Sequence, residues 1–340
     1  MSAPIVFYRD DGLFSFGKLK QTVISNPKTI HKILNIVKLI LVAVTFGFLY
    51  YKLVHAYHLN QLVHTFDFQL KNSDVNILLV AFVLAAVNIM LESSKWRLLV
   101  NRFESVSFKQ AIKAVCAGMT LSIITPNQIG DFAGRVLYIR KMGKLNGALV
   151  TVIGHTAQVL ITVAFGLMSY IWFAGEQNII RAEQITLYYI ALLILVALSI
   201  YAYLNLKQLQ PWIQKSRFKR YLEVFYGYSR GELLEILIMA FLRWTVVNIE
   251  FILLVHFFDI DVSTREVFAC VNATLLVQTL VPSFILLDLG IRGASALWFF
   301  GAFTNQPDSV LLMTYSIWVI NIFAPGMLGL YYLLRWKPEA

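Results

Sequence analysis

The sequence predicts an all-α polytopic membrane protein with about six full spans plus two re-entrant helical hairpins in an inverted repeat. Hydrophobic residues make up 58% of the 340 residues and charged residues only 14%, whereas an ordinary soluble domain is about 25% charged. Several apolar stretches reach the roughly 20 residues that a helix needs to cross the bilayer core. Two further apolar stretches are interrupted by Pro and Gly, and each interruption carries an acid and an arginine.

Six apolar stretches are long enough to be spans, and they are predicted at residues 33–56, 75–95, 146–173, 185–205, 234–258 and 309–334. Asp10, Asp11 and several lysines precede the first stretch, and no cleavage site with small residues follows it, so we expect it to remain as an anchor. The predicted organisation is a cytoplasmic or interfacial segment, two membrane halves and a cytoplasmic tail, at 1–32, 33–174, 175–334 and 335–340.

The orientation of the chain follows from its Lys and Arg residues, because these collect in cytoplasmic loops. They are dense in the N-terminal segment and after the second span, where Lys95 is assigned to a cytoplasmic turn. Arg140, Lys141 and Lys144 would lie outside if the first interrupted stretch crossed the membrane. A re-entrant hairpin over 108–144 keeps them cytoplasmic. Both termini are then cytoplasmic, and we expect a multi-pass protein of the cell (inner) membrane.

The second interrupted stretch, over 264–303, becomes a re-entrant hairpin that enters from the opposite side. Each half then has the order span, span, hairpin, span, with inverted orientation. Glu92 precedes Pro126 by 34 positions and Glu250 precedes Pro282 by 32, so each half has an acidic residue at a similar distance before its proline. The alternative is a bundle of six to eight helices in which Pro and Gly only make kinks.

The two interruptions are the candidate binding site. Asp131 lies four residues before Arg135, and Asp288 lies four residues before Arg292, so both pairs could be internal salt bridges on one helix face. Alternatively, the broken helix ends and the guanidinium groups bind a phosphate. The predicted substrate-binding residues are Arg135, Arg292, Asp131, Asp288, Asn127, Ser283 and Glu250. The predicted structural breaks are Pro126, Gly130, Gly134, Pro282 and Gly290, and the spacing of Gly130 and Gly134 favours close approach of another helix.

Other polar residues in the spans have two interpretations each. Glu92, Arg243 and Glu250 could line the same cavity, and Glu250 is either a proton-coupling carboxylate or, as we prefer, a fixed partner of Arg243 about two turns away. His155 is interpreted as a bundle histidine rather than a proton relay.

No cofactor, metal ion or nucleic acid is predicted. A glycine-rich stretch over 12–18 has the spacing of a phosphate-binding loop, but Leu19 stands where Ser or Thr must bind magnesium.

Residues at the two interruptions resemble those of a known protein family. Pro126, Gly130-Asp131 and Arg135 in the first half, and Pro282 with Leu289-Gly290-Ile291-Arg292 in the second, resemble the lysylphosphatidylglycerol synthase/flippase transmembrane family, as a stand-alone member without a synthase domain. Trp96-Arg97-Leu98-Leu99 is also similar to the family. Two positions depart from its pattern: Gly293 stands where the family often has Glu, and Asp288 stands where it often has Gly. The resemblance implies lipid translocation.

We therefore predict a transporter or flippase that translocates an anionic lipid or lipid-linked headgroup across the inner membrane, with its phosphate held by Arg135 and Arg292. The expected partners are an anionic phospholipid or lipid-linked substrate and membrane lipids, and a homo-oligomer is possible. One alternative is an integral-membrane lipid-modifying enzyme, although no catalytic constellation is recognised. Another is a non-catalytic membrane scaffold for envelope biosynthesis.

Overall fold

The structure is a computed structural model, and it describes residues 59–125, 128–211, 223–281 and 285–336. Regular secondary structure in these residues is entirely helical. The helices are α1 (Leu59–Asn72), α2 (Asn76–Asn101), α3 (Phe108–Ile124), α4 (Ile129–Val136), α5 (Lys144–Glu176), α6 (Ala182–Leu204), α7 (Arg230–Phe257), α8 (Thr264–Leu280), α9 (Ile285–Phe300), α10 (Pro307–Trp318) and α11 (Ala324–Arg335).

Five long apolar segments match predicted spans. They are α2, α5, α6, α7 and the segment Pro307–Arg335 that contains α10 and α11, and each is long and apolar enough to cross a membrane. The predicted span at 33–56 lies outside the described residues. Helix α7 begins four residues earlier than predicted because Ser229 and Glu232 form a capping box that holds its first turn.

Helix α6 shows how apolar the outer surface is. Its side chains Leu187, Leu193 and Leu198 are each more than 60% exposed, and only Tyr203 of this helix is buried. An apolar surface of this kind is stable only when lipid or another apolar surface covers it. Together with the other long apolar helices, it identifies a multi-pass membrane protein.

Helices α3 and α4 form a tight antiparallel hairpin around the first interruption. A Cβ atom on Gly134 would lie 2.5 Å from the Cα atom of Gly118, and one on Gly130 would overlap the carbonyl of Leu121. Glycine is required at both places because the backbones touch. The predicted close approach of a helix at Gly130 and Gly134 is therefore present, and the approaching helix is α3 of the same hairpin.

Helices α8 and α9 form the corresponding hairpin around the second interruption. The Cys270 thiol donates to the Phe299 carbonyl at 3.3 Å, and Arg292 Nη1 donates to Gln278 Oε1 at 2.7 Å, so the two helices run antiparallel. Gly290 was predicted to shape the break, but it lies inside α9, and a Cβ atom there would meet nothing within 4 Å. The interruption ends before Ile285, and helix geometry continues through Gly290.

In each hairpin, the residues just before its first helix contact the residues just after its second helix. Glu104, before α3, accepts hydrogen bonds from the backbone N–H groups of Arg140, Lys141 and Met142, which follow α4. Around the second hairpin, Gln306 accepts from the N–H of Asp261 and donates to the carbonyl of Asp259. The chain therefore returns to its entry point after both hairpins.

The two entry points lie at opposite ends of the central helices. Helices α2 and α7 are antiparallel, since Ser73 donates to the Phe257 carbonyl at 2.7 Å while Arg102 lies 3.9 Å from Glu232 at the other end. Glu104 follows the end of α2, and Asp259 follows the end of α7. The hairpins thus point into the bundle from opposite ends.

The two halves also exchange their last helices. Gly166 of α5 packs on α8, where a Cβ atom would lie 3.1 Å from the Asn272 carbonyl. Gly329 of α11 packs on the Cys116 carbonyl of α3, and Thr120 of α3 donates to the Gly326 carbonyl at 2.6 Å. Each hairpin is therefore packed against the last span of the other half.

A π-helical turn, Val319–Phe323, joins α10 to α11 within the last span. Pro325 follows it and has no N–H to donate to the carbonyl of Asn321, one turn earlier, so a regular α-helix cannot continue unchanged. Such π turns occur frequently at functional sites. Here the turn places Asn321 on the wall of the central cavity.

Candidate functional site

A cavity of about 320 Å³ lies between the two hairpins and the central helices. Apolar side chains such as Met119, Val247 and Leu275 form part of its wall. Its charged lining comes from both halves of the chain and consists of Glu92, Lys95, Asp131, Arg135, Arg243, Asp288 and Arg292. The cavity therefore combines four cations with three carboxylates within an apolar bundle.

Glu92 is the centre of the charged cluster. Lys95 Nζ lies 2.7 Å from Glu92 Oε2, Arg135 Nη1 lies 2.7 Å from Oε1, and Arg243 Nη1 also donates to Oε2. Both Glu92 and Lys95 are 2% exposed. Charges at membrane depth are tolerated when they pair in this way, and this pairing connects α2, α4 and α7.

Asp131 extends the cluster toward the cavity. It accepts from Arg135 Nε at 2.9 Å, and His155 Nε2 lies 2.8 Å from its second oxygen. The predicted four-residue pairing of Asp131 with Arg135 is thus present, but Glu92 is a further partner of this arginine. The His155 side chain is 38% exposed and lines the cavity.

Asp288 and Arg292 form the second predicted pair. Arg292 Nε lies 2.7 Å from Asp288 Oδ2, and Arg292 Nη1 donates to Gln278 within the same hairpin. The Arg292 side chain is 13% exposed, compared with 4% for Arg135. Arg292 is consequently the more accessible of the two predicted phosphate ligands.

Glu250 has a different environment. Its side chain is fully buried, Asn321 Nδ2 donates to its Oε2 at 2.6 Å, and its Oε1 has no hydrogen-bond partner among the described residues. The preferred interpretation of Glu250 as the fixed partner of Arg243 was wrong. Arg243 extends toward α2, where it donates to Glu92 and to Asn88 Oδ1.

The structure brings most of the predicted site together. Arg135, Asp131, Asp288 and Arg292 all line the cavity, and Glu250 adjoins it through Asn321. The predicted residues Asn127, Ser283, Pro126 and Pro282 lie outside the described residues.

Sequence reasoning missed Lys95, which was assigned to a cytoplasmic turn. Helix α2 extends to Asn101 and carries Lys95 inside the bundle, paired with Glu92 one turn earlier. The three-residue spacing of Glu92 and Lys95 is the signal that could have indicated this pair. Asn321 was also missed, and no sequence pattern marks it.

The cavity is suited to an anion. The three guanidinium groups of Arg135, Arg243 and Arg292 each use Nε and Nη1 for bonds to the protein. For Nη2 of each, the described part of the chain offers no hydrogen-bond partner. Free guanidinium donors with a net positive charge are typical of phosphate and carboxylate sites. Among the described residues, no group of three His, Cys, Asp or Glu side chains is placed to hold a metal ion.

Fold and site together define a helical multi-pass membrane protein with a charged cavity between opposed hairpins. Residues 35–329 match the family model described as lysylphosphatidylglycerol synthase TM region. The match covers more than half of the chain, which therefore belongs to this family, as the two interruptions had indicated. The family is a membrane region related to lipid synthesis or flipping. No curated protein matches the sequence.

Proposed function

We propose that the protein is a flippase that moves an anionic lipid, or a lipid-linked headgroup, across the inner membrane. The observation that carries this proposal is the cavity, where four cations face three carboxylates inside an apolar bundle. One phosphate monoanion offsets the excess positive charge. Because the acyl chains of a lipid can stay in the bilayer while the headgroup crosses, a cavity of headgroup size is sufficient.

The phosphate is held chiefly by Arg292 and Arg243. Their side chains are 13% and 18% exposed, and the Nη2 group of each has no partner among the described residues. Arg135 lies deeper and is fixed by Glu92 and Asp131. Asp131 and Asp288 orient the arginines. The apolar wall formed by Met119 and Leu275 faces the first part of the lipid tail.

The membrane topology that we propose has six spans, including 33–56, and two re-entrant hairpins in an inverted repeat with cytoplasmic termini. Support comes from the common entry and exit point of each hairpin, from the placement of these points at opposite ends of α2 and α7, and from the exchanged last helices. Arg140 and Lys141 at the first entry point favour the cytoplasmic side there.

The test is lipid movement in vesicles that contain the purified protein. Vesicles of phosphatidylcholine carry a trace of phosphatidylglycerol labelled on its headgroup region, and a membrane-impermeant quencher reports the fraction in the outer leaflet. The wild type should equilibrate the label between leaflets. Arg292→Gln should slow this at least tenfold, because a charge-assisted hydrogen bond contributes about 1.5–3 kcal/mol.

Arg265→Gln is the matched control, since Arg265 is exposed and lies in the same hairpin, at the start of α8. It should leave the rate unchanged. Equal rates for the wild type and Arg292→Gln, with both proteins folded, would contradict the role of the cavity in lipid movement.

A further inference from the structure

Glu250 stands out among the carboxylates around the cavity. Glu92, Asp131 and Asp288 each have at least one cation within 2.9 Å. Glu250 has no cation within 4.0 Å among the described residues, and its Oε1 has no hydrogen-bond partner there. It is also 0% exposed. An ionised carboxylate in this environment would be both desolvated and unpaired, which is strongly unfavourable.

The charged groups on the helices around Glu250 are already engaged with one another. They are Glu92 and Lys95 on α2, Asp131 and Arg135 on α4, His155 on α5, Arg243 on α7 itself, and Asp288 and Arg292 on α9. The cations of α2, α4 and α7 converge on Glu92, and the cation of α9 is bound to Asp288. Arg243 attracts the Glu250 carboxyl electrostatically, but none of these cations forms an ion pair with Glu250.

A chain of hydrogen bonds joins Glu250 to Arg243, one of the two anion-binding arginines. Asn321 donates to Glu250 and accepts from Asn88 Nδ2 at 2.8 Å, and Asn88 accepts from Arg243 Nε at 2.7 Å. Asn321 stands between the carboxyl and the cavity on the π-helical turn. Asn321 thus contacts the Glu250 carboxyl and also lines the cavity.

We infer that Glu250 is a proton-binding site, and that the cavity binds one anionic headgroup only while Glu250 carries a proton. The inference rests on the proposed function. If Glu250 is ionised, four cations face four carboxylates, and an added phosphate monoanion leaves a net negative charge in a buried site. With a proton on Glu250 the excess positive charge returns and the phosphate offsets it. The proton comes from water in the cavity and adds to a carboxylate oxygen, so no other bond changes.

His155 is the competing proton acceptor, because an imidazole nitrogen can also bind a proton. It already lies 2.8 Å from the Asp131 carboxylate, and its side chain is 38% exposed. It therefore has a charged partner and access to the cavity, whereas the buried Glu250 has neither among the described residues. The structure thus favours Glu250, and the experiment separates the two.

The experiment measures the pH dependence of labelled phosphatidylglycerol movement in phosphatidylcholine vesicles. If one proton accompanies each headgroup, the rate should fall about tenfold per pH unit in the alkaline range, since proton binding and lipid binding favour each other. Glu250→Gln, a mimic of the protonated carboxyl, should keep the rate seen at low pH and lose this dependence. Glu250→Asp should retain a dependence. His155→Gln, whatever its absolute rate, should keep the pH dependence of the wild type.

Glu235→Gln is the matched control on the same helix, because Glu235 is exposed and outside the cavity. Its pH profile should equal that of the wild type. A wild-type rate that does not change with pH would overturn the inference. So would a Glu250→Gln rate that keeps the wild-type profile, or a dependence that disappears in His155→Gln.

A second measurement does not depend on lipid movement. Infrared spectroscopy of the purified wild type should show a protonated carboxyl band at neutral pH that decreases at alkaline pH and is absent from Glu250→Gln. If no band appears while lipid still moves, the proton site is wrong and the flippase function stands. If the band appears but no lipid moves, the proposed function fails and the proton site stands.

Discussion

Glu92 and Glu250 lie on α2 and α7, the paired central helices, yet their surroundings are opposite. Glu92 binds three cations from three helices. Glu250 binds one amide, and one of its oxygens has no partner in the described part of the chain. The comparison shows that two acids on paired helices have different electrostatic surroundings. Glu92 is the centre of a fixed framework that includes cations from both halves of the chain, whereas Glu250 forms no ion pair among the described residues.

The largest expected effect comes from removing the centre of the fixed framework. Glu92→Gln leaves Lys95, Arg135 and Arg243 near one another without their shared carboxylate, and breaking a buried ion pair costs about 3–5 kcal/mol. Thermal or denaturant unfolding in detergent should therefore show strong destabilisation. Glu250→Gln, which leaves no cation unpaired, should change the free energy of unfolding by less than about 1 kcal/mol.

The same unfolding measurement tests whether the two acids differ in this way. If Glu92→Gln and Glu250→Gln destabilise the protein equally, the two carboxylates have equivalent roles and the contrast between them is wrong. Glu235→Gln, on the exposed surface of α7, should leave unfolding unchanged.

A smaller effect is expected from the glycines of the two hairpins. A Cβ atom at Gly134 would lie 2.5 Å from backbone atoms of Gly118, whereas one at Gly290 meets open space. Gly134→Ala should destabilise the protein by about 1–3 kcal/mol through overpacking. Gly290→Ala should be neutral or stabilising by about 0.5–1 kcal/mol, because alanine favours a helix.

Unfolding of these two variants in parallel checks the difference between the hairpins. Similar destabilisation by both substitutions would mean that α9 packs as tightly as α4, in contradiction to the structure.

The sequence was sufficient to predict the features that depend on local residue patterns. Five spans follow from apolar length, and the bonds between Asp131 and Arg135 and between Asp288 and Arg292 follow from a spacing of four residues on one helix face. The glycine spacing of α4 likewise predicted a close helix contact, although it could not say which helix makes it.

The long-range pairs could not be predicted in this way. Arg243 binds Glu92 across 151 positions of sequence, and its choice of Glu92 over Glu250 depends on how α2 packs beside α7. The predicted position of Lys95 was wrong because a lysine near the end of an apolar stretch is usually read as an interfacial charge. In the structure Lys95 pairs with the buried Glu92 one turn earlier and lies inside the bundle. Asn321 lies on the cavity wall because of a π-helical turn, and the sequence does not indicate this turn.

The central claim is that the cavity binds an anionic headgroup, and the lipids that co-purify with the protein test it most directly. Wild type, Arg292→Gln and Arg265→Gln would be purified from the same membranes, and their bound lipids would be quantified by mass spectrometry. We predict that an anionic phospholipid accompanies the wild type and Arg265→Gln in equal amounts and falls at least tenfold in Arg292→Gln. Equal amounts in all three proteins, or a zwitterionic lipid in the wild type, would contradict the claim.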